Sequence, residues 1–123
     1  MSDHAEVVEQ KETKGSKKEE KITTYRIHPT YYSDLDYENR TISYEIHLPG
    51  VDKENVSLKV LPELWNVEAS RKEKKSQAFY TLSRYFPYEI DPNSVKATYE
   101  HGLLKFTVAL KDPLSDAVDV KLE

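Results

Sequence analysis

The sequence contains no cysteine and only three glycines. The missing thiols exclude disulfide bridges, thiolate zinc sites and thiol nucleophiles. So few glycines leave no glycine-rich loop that could cradle a phosphate group. The N-terminal segment MSDHAEVVEQ has no apolar core, so it predicts no secretion signal. Together these absences favour a protein of the reducing cytoplasm.

Long apolar runs are also missing. No stretch approaches the ~20 apolar residues of a membrane span, and hydrophobic residues make up only 37% of the chain. Acidic and basic residues are interspersed, and the net charge is only -4. Nucleic acids and anionic membranes both select for clustered cations. We therefore expect neither nucleic acid nor a membrane as a partner.

Catalytic and metal-binding patterns are likewise absent from the sequence. The histidines show no helical spacing that would place two metal ligands on one face: His4, His28, His47 and His101. Ser83 and Ser94 have no nucleophile-elbow context. We therefore expect no metal, no cofactor and no enzymatic activity.

Residues 1–21 are rich in Lys and Glu, and they contain no aromatic residue and almost no large apolar one. Such a segment buries too little surface to offset the entropy lost on ordering. This composition predicts a disordered, charged N-terminal tail.

From residue 22 onward, short stretches alternate apolar and polar residues with period two, which is typical of half-buried strands. The clearest alternation lies in residues 41–48, and others lie in 56–60, 65–69, 79–86, 95–99 and 104–110. Trp65 belongs to one of these patterns, which places it in the core. No helical periodicity is sustained. The pattern predicts an all-β antiparallel sandwich over residues 22–111.

Three segments of this strand-rich part resemble a known family: LPGVDKENV (48–56), FPYEID (86–91) and ATYEHGLL (97–104). In this order and spacing they are similar to the strand ends and turns of α-crystallin domains in small heat-shock proteins. His101 stands where the family usually has Asn, and Leu103 where it has Val. The resemblance implies an immunoglobulin-like β-sandwich. It also implies a holdase that binds non-native proteins without ATP and limits their aggregation.

The chain also departs from that family. Residues 71–78 are short and charged, and they predict a solvated loop instead of the long dimer-forming loop of small heat-shock proteins. Leu82 stands where the family usually has Arg. The segments Tyr80-Thr81-Leu82 and IDPNS (90–94) are similar to CS-domain co-chaperones. The alternative function is therefore an interaction module for one folded partner.

The resemblance to small heat-shock proteins also implies a C-terminal anchor in residues 112–123 that docks in a neighbour's sandwich edge. The candidate anchor residues are Val118, Val120 and Leu122. The receiving groove, for the anchor or for clients, maps to Val56, Leu58, Val60, Val95, Ala97 and Tyr99. The alternative is a tail strand that pairs within its own chain. We expect self-association, most of all as a dimer or small homo-oligomer.

Overall fold

The computed structural model describes residues 4–14 and 19–123, which form nine strands and one short 3-10 helix. The strands are β1 (His4–Lys14), β2 (Glu19–His28), β3 (Tyr31–Asp36), β4 (Thr41–His47), β5 (Val56–Val60), β6 (Leu64–Glu73), β7 (Ser76–Tyr85), β8 (Ile90–Glu100) and β9 (Leu103–Leu110). The 3-10 helix, Lys53–Asn55, lies directly before β5.

The strands form two sheets, with the order β1-β2-β7-β6-β5 in the first and β3-β4-β9-β8 in the second. This architecture confirms the predicted all-β sandwich. Neighbouring strands pair antiparallel in every described ladder except β2–β7, which is parallel. A parallel pair requires a long crossover connection, and here the chain passes through the second sheet between β2 and β7. Local alternation therefore could not reveal this pair.

The apolar residues of the alternating stretches face one another between the sheets. Trp65, Tyr44 and Phe106 form the centre of this core, with the Tyr44 and Phe106 rings stacked at 4.8 Å. Trp65 meets Phe106 edge-on at 5.6 Å and is fully buried, which confirms its predicted place. Offset and edge-on contacts of this kind add to the burial of apolar area.

Burial in this core raises the pKa of the Tyr44 hydroxyl to about 12, against a smaller lowering by the neighbouring Trp65 indole. Trp65 Nε1 is itself fully buried, and no acceptor lies within hydrogen-bond geometry of it in the part of the chain that the structure describes. An unpaired buried donor weakens the fold, and the surrounding aromatic packing offsets that cost.

The composition of residues 1–21 predicts disorder, but the structure places part of this segment in strands. Residues 4–14 and 19–28 form an antiparallel hairpin, and only the end of β2, Thr23–Ile27, pairs with β7. Residues 1–3 and 15–18 lie outside the described residues. The hairpin contains β-branched Val and Thr residues, which favour strands whatever the total apolar content. The boundaries between tail, sandwich and C-terminal extension stay predictions.

The solvated loop predicted over residues 71–78 is wrong. β6 continues to Glu73 and β7 begins at Ser76, so only Lys74 and Lys75 form the turn. The inward position in this part of β7 is taken by the small, buried Ala78, which follows the polar residues Ser76 and Gln77. Because Ala78 is the one apolar residue of the segment 71–78, the segment shows little hydrophobic periodicity, and its strands could not be predicted from the sequence.

The tight turn between β8 and β9 has left-handed backbone at both central residues, with φ of 49° at His101 and 80° at Gly102. A side chain at residue 102 would also be obstructed. A Cβ there would lie 3.1 Å from Pro49 Cα and 3.2 Å from the Leu48 carbonyl oxygen. This close approach lets Leu48 N donate to the Gly102 carbonyl at 2.7 Å.

We predict that Gly102→Ala destabilises the protein by about 2 kcal/mol or more, since left-handed strain and a backbone clash act together. Gly50→Ala is the matched control: its φ is 78°, but the added Cβ meets only the Arg71 side chain, at 2.9 Å. That flexible side chain can move, so we expect a loss of about 1 kcal/mol. Denaturant unfolding followed by Trp65 fluorescence measures both losses, and equal losses would contradict the role given to Pro49.

Candidate functional site

Two strands lie at sheet edges on the same side of the sandwich: β5 ends the first sheet and β8 ends the second. Their ends are tied together. Ile90 N, at the start of β8, donates to the Pro62 carbonyl just after β5 at 2.9 Å. The Tyr99 hydroxyl, near the end of β8, donates to the Val51 carbonyl before β5 at 2.6 Å. The two edges therefore run in opposite directions with an opening between them, here named the edge groove.

The β5 wall of the edge groove is apolar. Each of its inward-facing residues is paired across the ladder with a buried residue of β6, so all three point between the sheets. They nevertheless stay only half-buried and pack against the outside of the core: Val56, Leu58 and Val60. Half-burial follows from their position, because the opposite sheet does not cover its partner's edge.

The β8 wall has a notch at Ala97. Val95 and Tyr99 are half-buried and pack on the core. Ala97 pairs with the buried Phe106, so it also faces inward, yet it is exposed. A small, uncovered residue between two larger neighbours leaves space for an incoming apolar side chain. The structure thus places all six predicted groove residues on the two facing edges.

A bulge in β8 sets which residues line the edge groove. The register with β9 shifts between Asp91 and Lys96. Ser94 Oγ holds this irregularity: it donates to the Asp91 carbonyl at 2.6 Å and accepts from Ala109 N at 2.8 Å. A bulge changes which face the following side chains occupy. Here it turns Val95 inward.

Tyr99 closes the edge groove at the β5 N-terminal end. Its hydroxyl lies 2.6 Å from the Val51 carbonyl and 3.2 Å from that of Leu48. Burial raises the pKa of this hydroxyl, and the nearby Asp52 and Tyr80 raise it further. Both carbonyls accept hydrogen bonds from the Tyr99 hydroxyl, and only neutral tyrosine carries the proton that is donated. Closure of this end of the groove therefore depends on the uncharged form of Tyr99.

Sequence reasoning missed the residues that close the two ends, namely Val51, Pro62 and Ile90. Their contribution is made through backbone groups and is tied to residues far away in the chain. A backbone hydrogen bond leaves no signal in residue type. Of these residues, Ile90 was singled out in the sequence, but as the first residue of the segment IDPNS (90–94) that is similar to CS-domain co-chaperones.

The predicted anchor residues extend away from the sandwich. Val118, Val120 and Leu122 are 82%, 79% and 90% exposed, and residues 111–123 form no strand ladder in the described chain. The preceding turn is held against the sandwich by Lys111, whose Nζ lies 3.5 Å from Glu89 Oε1 and also pairs with Asp116. The pairing with Asp116 is the main cause of the raised pKa of Lys111. Docking of the anchor stays a prediction.

Residues 4–14 and 19–123 form neither a metal-binding cluster nor a membrane-spanning helix. No group of three or more potential metal ligands comes together there. No helix in the same ranges is long and apolar enough to cross a membrane. His47 is exposed and meets the Tyr32 ring edge-on at 5.6 Å, as suits a residue on the polar face of a strand.

Comparison with known proteins points to one family. The family model described as Hsp20/alpha crystallin matches residues 34–121. Small heat shock protein C4 of Rickettsia felis is 24% identical, over 77% of this chain and 70% of its own.

Solved structures share the fold. Heat shock protein 16.0 from Schizosaccharomyces pombe superposes with a TM-score of 0.62 at 17% identity, covering 78% of this chain and 76% of its own. A small heat-shock protein from Xylella fastidiosa, described as having a distinct high order structure, superposes with a TM-score of 0.55 at 14% identity. It covers 76% of this chain and 94% of its own.

Tyr99→Phe should destabilise the protein by about 1 kcal/mol at neutral pH, because two carbonyls lose their donor. The raised pKa of Tyr99 means that the folded state favours the neutral hydroxyl. This contribution is complete below the unfolded pKa of about 10 and is lost as pH rises through the folded pKa. The free energy of unfolding should therefore fall less steeply above pH ~10 in Tyr99→Phe than in the unaltered chain.

The control is Tyr85→Phe, which changes the same group at a side chain that is 77% exposed. We expect its pH dependence to follow the unaltered chain. Urea unfolding at a series of pH values measures all three proteins. If the free energy of unfolding fell equally steeply above pH ~10 in Tyr99→Phe and Tyr85→Phe, the hydroxyl of Tyr99 would have no part in closing the groove.

Proposed function

Because the chain belongs to the Hsp20/alpha-crystallin family, we propose that it is a holdase chaperone that binds non-native proteins without ATP and limits their aggregation. One observation carries the proposal: the edge groove presents half-buried apolar side chains and two unpaired strand edges in the same opening. We place this activity in the cytoplasm, which suits a chain without cysteine.

The edge groove suits extended, unfolded segments. An added strand gains affinity from backbone hydrogen bonds to a free edge, while pockets for alternate side chains set its register. Backbone bonding is independent of sequence, so many clients can be accepted. The β5 wall supplies three apolar positions in alternation, and the notch at Ala97 receives a side chain from the segment. Exchange of one bound segment for another involves no step that consumes nucleotide.

The C-terminal anchor supports a further part of the proposal, self-association as a dimer or small homo-oligomer. Val118, Val120 and Leu122 alternate with Asp119 and Lys121, so an extended tail presents its apolar side chains on one face. Apolar residues exposed in this way fit a groove between strand edges. The turn at Lys74 and Lys75 provides no long loop that could exchange with a partner, which favours small assemblies.

The short β6–β7 turn also favours a second candidate function, a CS-domain-like module that binds one folded partner. Such a module recognises a preformed surface and has no need of a groove that accepts unfolded segments. The two functions separate in one experiment. A holdase suppresses aggregation of unrelated heat-denatured clients, whereas a dedicated module leaves them to aggregate.

We expect the protein to suppress aggregation of a heat-denatured model client equally with and without ATP. Ala97→Phe should weaken this suppression several-fold, because the ring fills the notch in the β8 wall. Thr98→Phe is the control: residue 98 is the next residue of β8, is also exposed, and faces the other side of the strand. Light scattering during heating measures the effect. Equal activity of both variants would show that clients bind elsewhere.

Replacement of both Val120 and Leu122 by Gly should reduce tail-mediated self-association. The sandwich should stay folded, because both side chains are exposed. Light scattering at matched concentrations, with melting temperature as a check on the fold, measures the outcome. An unchanged particle size together with unchanged concentration dependence would mean that the tail contributes nothing to association.

A further inference from the structure

A cavity of about 510 Å³ lies where three connections of the sandwich meet: the β3–β4 turn, the β7–β8 connection and the segment that follows β9. It is here named the turn cavity. Its volume falls within the range of about 300–1,000 Å³ that is usual for small-molecule sites. The walls of the turn cavity come from these connections, whereas the edge groove lies between the strands β5 and β8. The turn cavity is therefore separate from the proposed client site.

Two tyrosines from different connections meet at the wall of the turn cavity. Tyr37 follows β3 and Tyr88 follows β7, and their hydroxyl oxygens lie 3.4 Å apart. The ring centroids are 6.4 Å apart, and the ring planes make an angle of 74°. Two rings at nearly right angles form a corner in which one bound group contacts both of them. The two residues are 68% and 48% exposed, so this corner is open to a ligand.

Both the aromatic corner and the charge of the lining favour a cation. The face of an aromatic ring carries negative potential, and it attracts a cation that lies within about 6 Å of the ring centroid. The ionisable groups of the lining are three carboxylates and two basic groups: Glu89, Asp112, Asp116, Arg40 and Lys111. Three negative charges against two positive charges give the lining a formal charge of -1. An anion is therefore disfavoured.

Both basic groups of the lining are already engaged. Arg40 Nη2 donates to the Lys111 carbonyl at 3.1 Å, and the Arg40 carbonyl accepts from Leu110 N at 2.8 Å. Lys111 Nζ pairs with Asp116 and lies 3.5 Å from Glu89 Oε1. Arg40 and Lys111 therefore hold the wall of the turn cavity together, and Lys111 provides the counter-charge of two of the three carboxylates.

Asp112 is the third carboxylate, and it has no basic partner among the described residues. Its Oδ1 accepts from Leu114 N at 2.9 Å, which fixes the side chain and leaves Oδ2 for a ligand. Leu110 and Pro113 add apolar surface to the same cavity. A quaternary ammonium group matches this combination, because methyl groups enclose its charge. A lysine ammonium is strongly hydrated, so it would lose more hydration against these apolar walls.

We propose that the turn cavity binds a quaternary ammonium group, with its methyl groups against Tyr37 and Tyr88 and with Asp112 as its counter-charge. A free quaternary ammonium compound and a trimethylated lysine of another protein carry the same group. The walls come from three parts of the chain, so a bound ligand holds the β3–β4 turn to the segment after β9. A ligand that binds the native state alone stabilises it, so binding should also raise the melting temperature.

Choline is the probe, and 3,3-dimethylbutan-1-ol is its uncharged counterpart, with a tert-butyl group of nearly the same shape. We expect choline to shift the NMR signals of Tyr37 and Tyr88 in the full chain, with a dissociation constant of about 1 mM. The uncharged analogue should bind about tenfold more weakly. Equal binding of the two compounds would overturn the proposal, because the cavity would then have no preference for charge. The absence of choline-dependent shifts at the two tyrosines would overturn it as well.

Tyr37→Leu and Tyr88→Leu should each weaken choline binding about tenfold, because each change removes an aromatic face. Tyr37→Phe and Tyr88→Phe keep the faces and should retain most of the affinity, although the contact between the hydroxyl groups is lost. Tyr85→Leu is the matched control, since Tyr85 is 77% exposed and belongs to β7, outside the cavity. The melting temperature of each variant without ligand checks the fold. Equal affinity of Tyr37→Leu and Tyr85→Leu for choline would overturn the proposal.

Asp112→Asn should weaken choline binding several-fold, most of all at low salt, and leave binding of the uncharged analogue unchanged. Unchanged choline binding would contradict the role of Asp112. Two peptides that differ only in trimethylation of one lysine distinguish the sources of the ligand. If the trimethylated peptide binds at least tenfold more tightly than choline, the ligand is a protein side chain, whereas equal affinity indicates a free compound. Equal binding of the modified and unmodified peptides would overturn the proposal.

Discussion

The turn at residues 48–51 is the contact on which both the sandwich and the edge groove depend. It carries the chain from the second sheet to the first, and side chains from both sheets bind its carbonyl groups. Tyr99 donates to Val51, while Arg71 donates to Pro49 at 2.8 Å. Gly102 allows the turn to approach the β8–β9 hairpin closely. Without this junction, the two edges would be tied together only at the other end, by the hydrogen bond from Ile90 N to the Pro62 carbonyl.

The edge groove follows from the way the sheets cover each other. Inward-facing side chains of central strands are fully buried, as at Trp65, Val67 and Phe106. Inward-facing side chains of the edge strands β5 and β8 that line the groove are at most partly buried. Burial of apolar area is worth roughly 25 cal/mol per Å², so an incoming strand gains moderately from each side chain it covers. A moderate binding free energy allows a bound segment to be released and replaced by another. A holdase requires such exchange, whereas a permanent interface does not.

The distribution of charge is consistent with that use. No charged or polar residue is fully buried among the described side chains, and the ion pairs that the structure contains are at the surface. Lys111 with Glu89 and Asp116 is one such cluster, with the Asp116 side chain 81% exposed. Exposed pairs contribute little to stability. The ion pairs of Lys111 therefore add little to the stability of the turn that they hold.

Period-two alternation in the sequence was enough to predict the sandwich, the buried Trp65 and the inward-facing residues of β5 and β8, because side chains alternate between faces along every strand. It could not determine the parallel β2–β7 pair, the β6–β7 hairpin or the N-terminal hairpin. Those depend on which strands meet, and backbone pairing is indifferent to residue type. The closure of the groove by Val51, Pro62 and Ile90 was likewise decided by tertiary structure alone. It is made by backbone atoms of residues distant in the chain, which only the packing of the two sheets brings together.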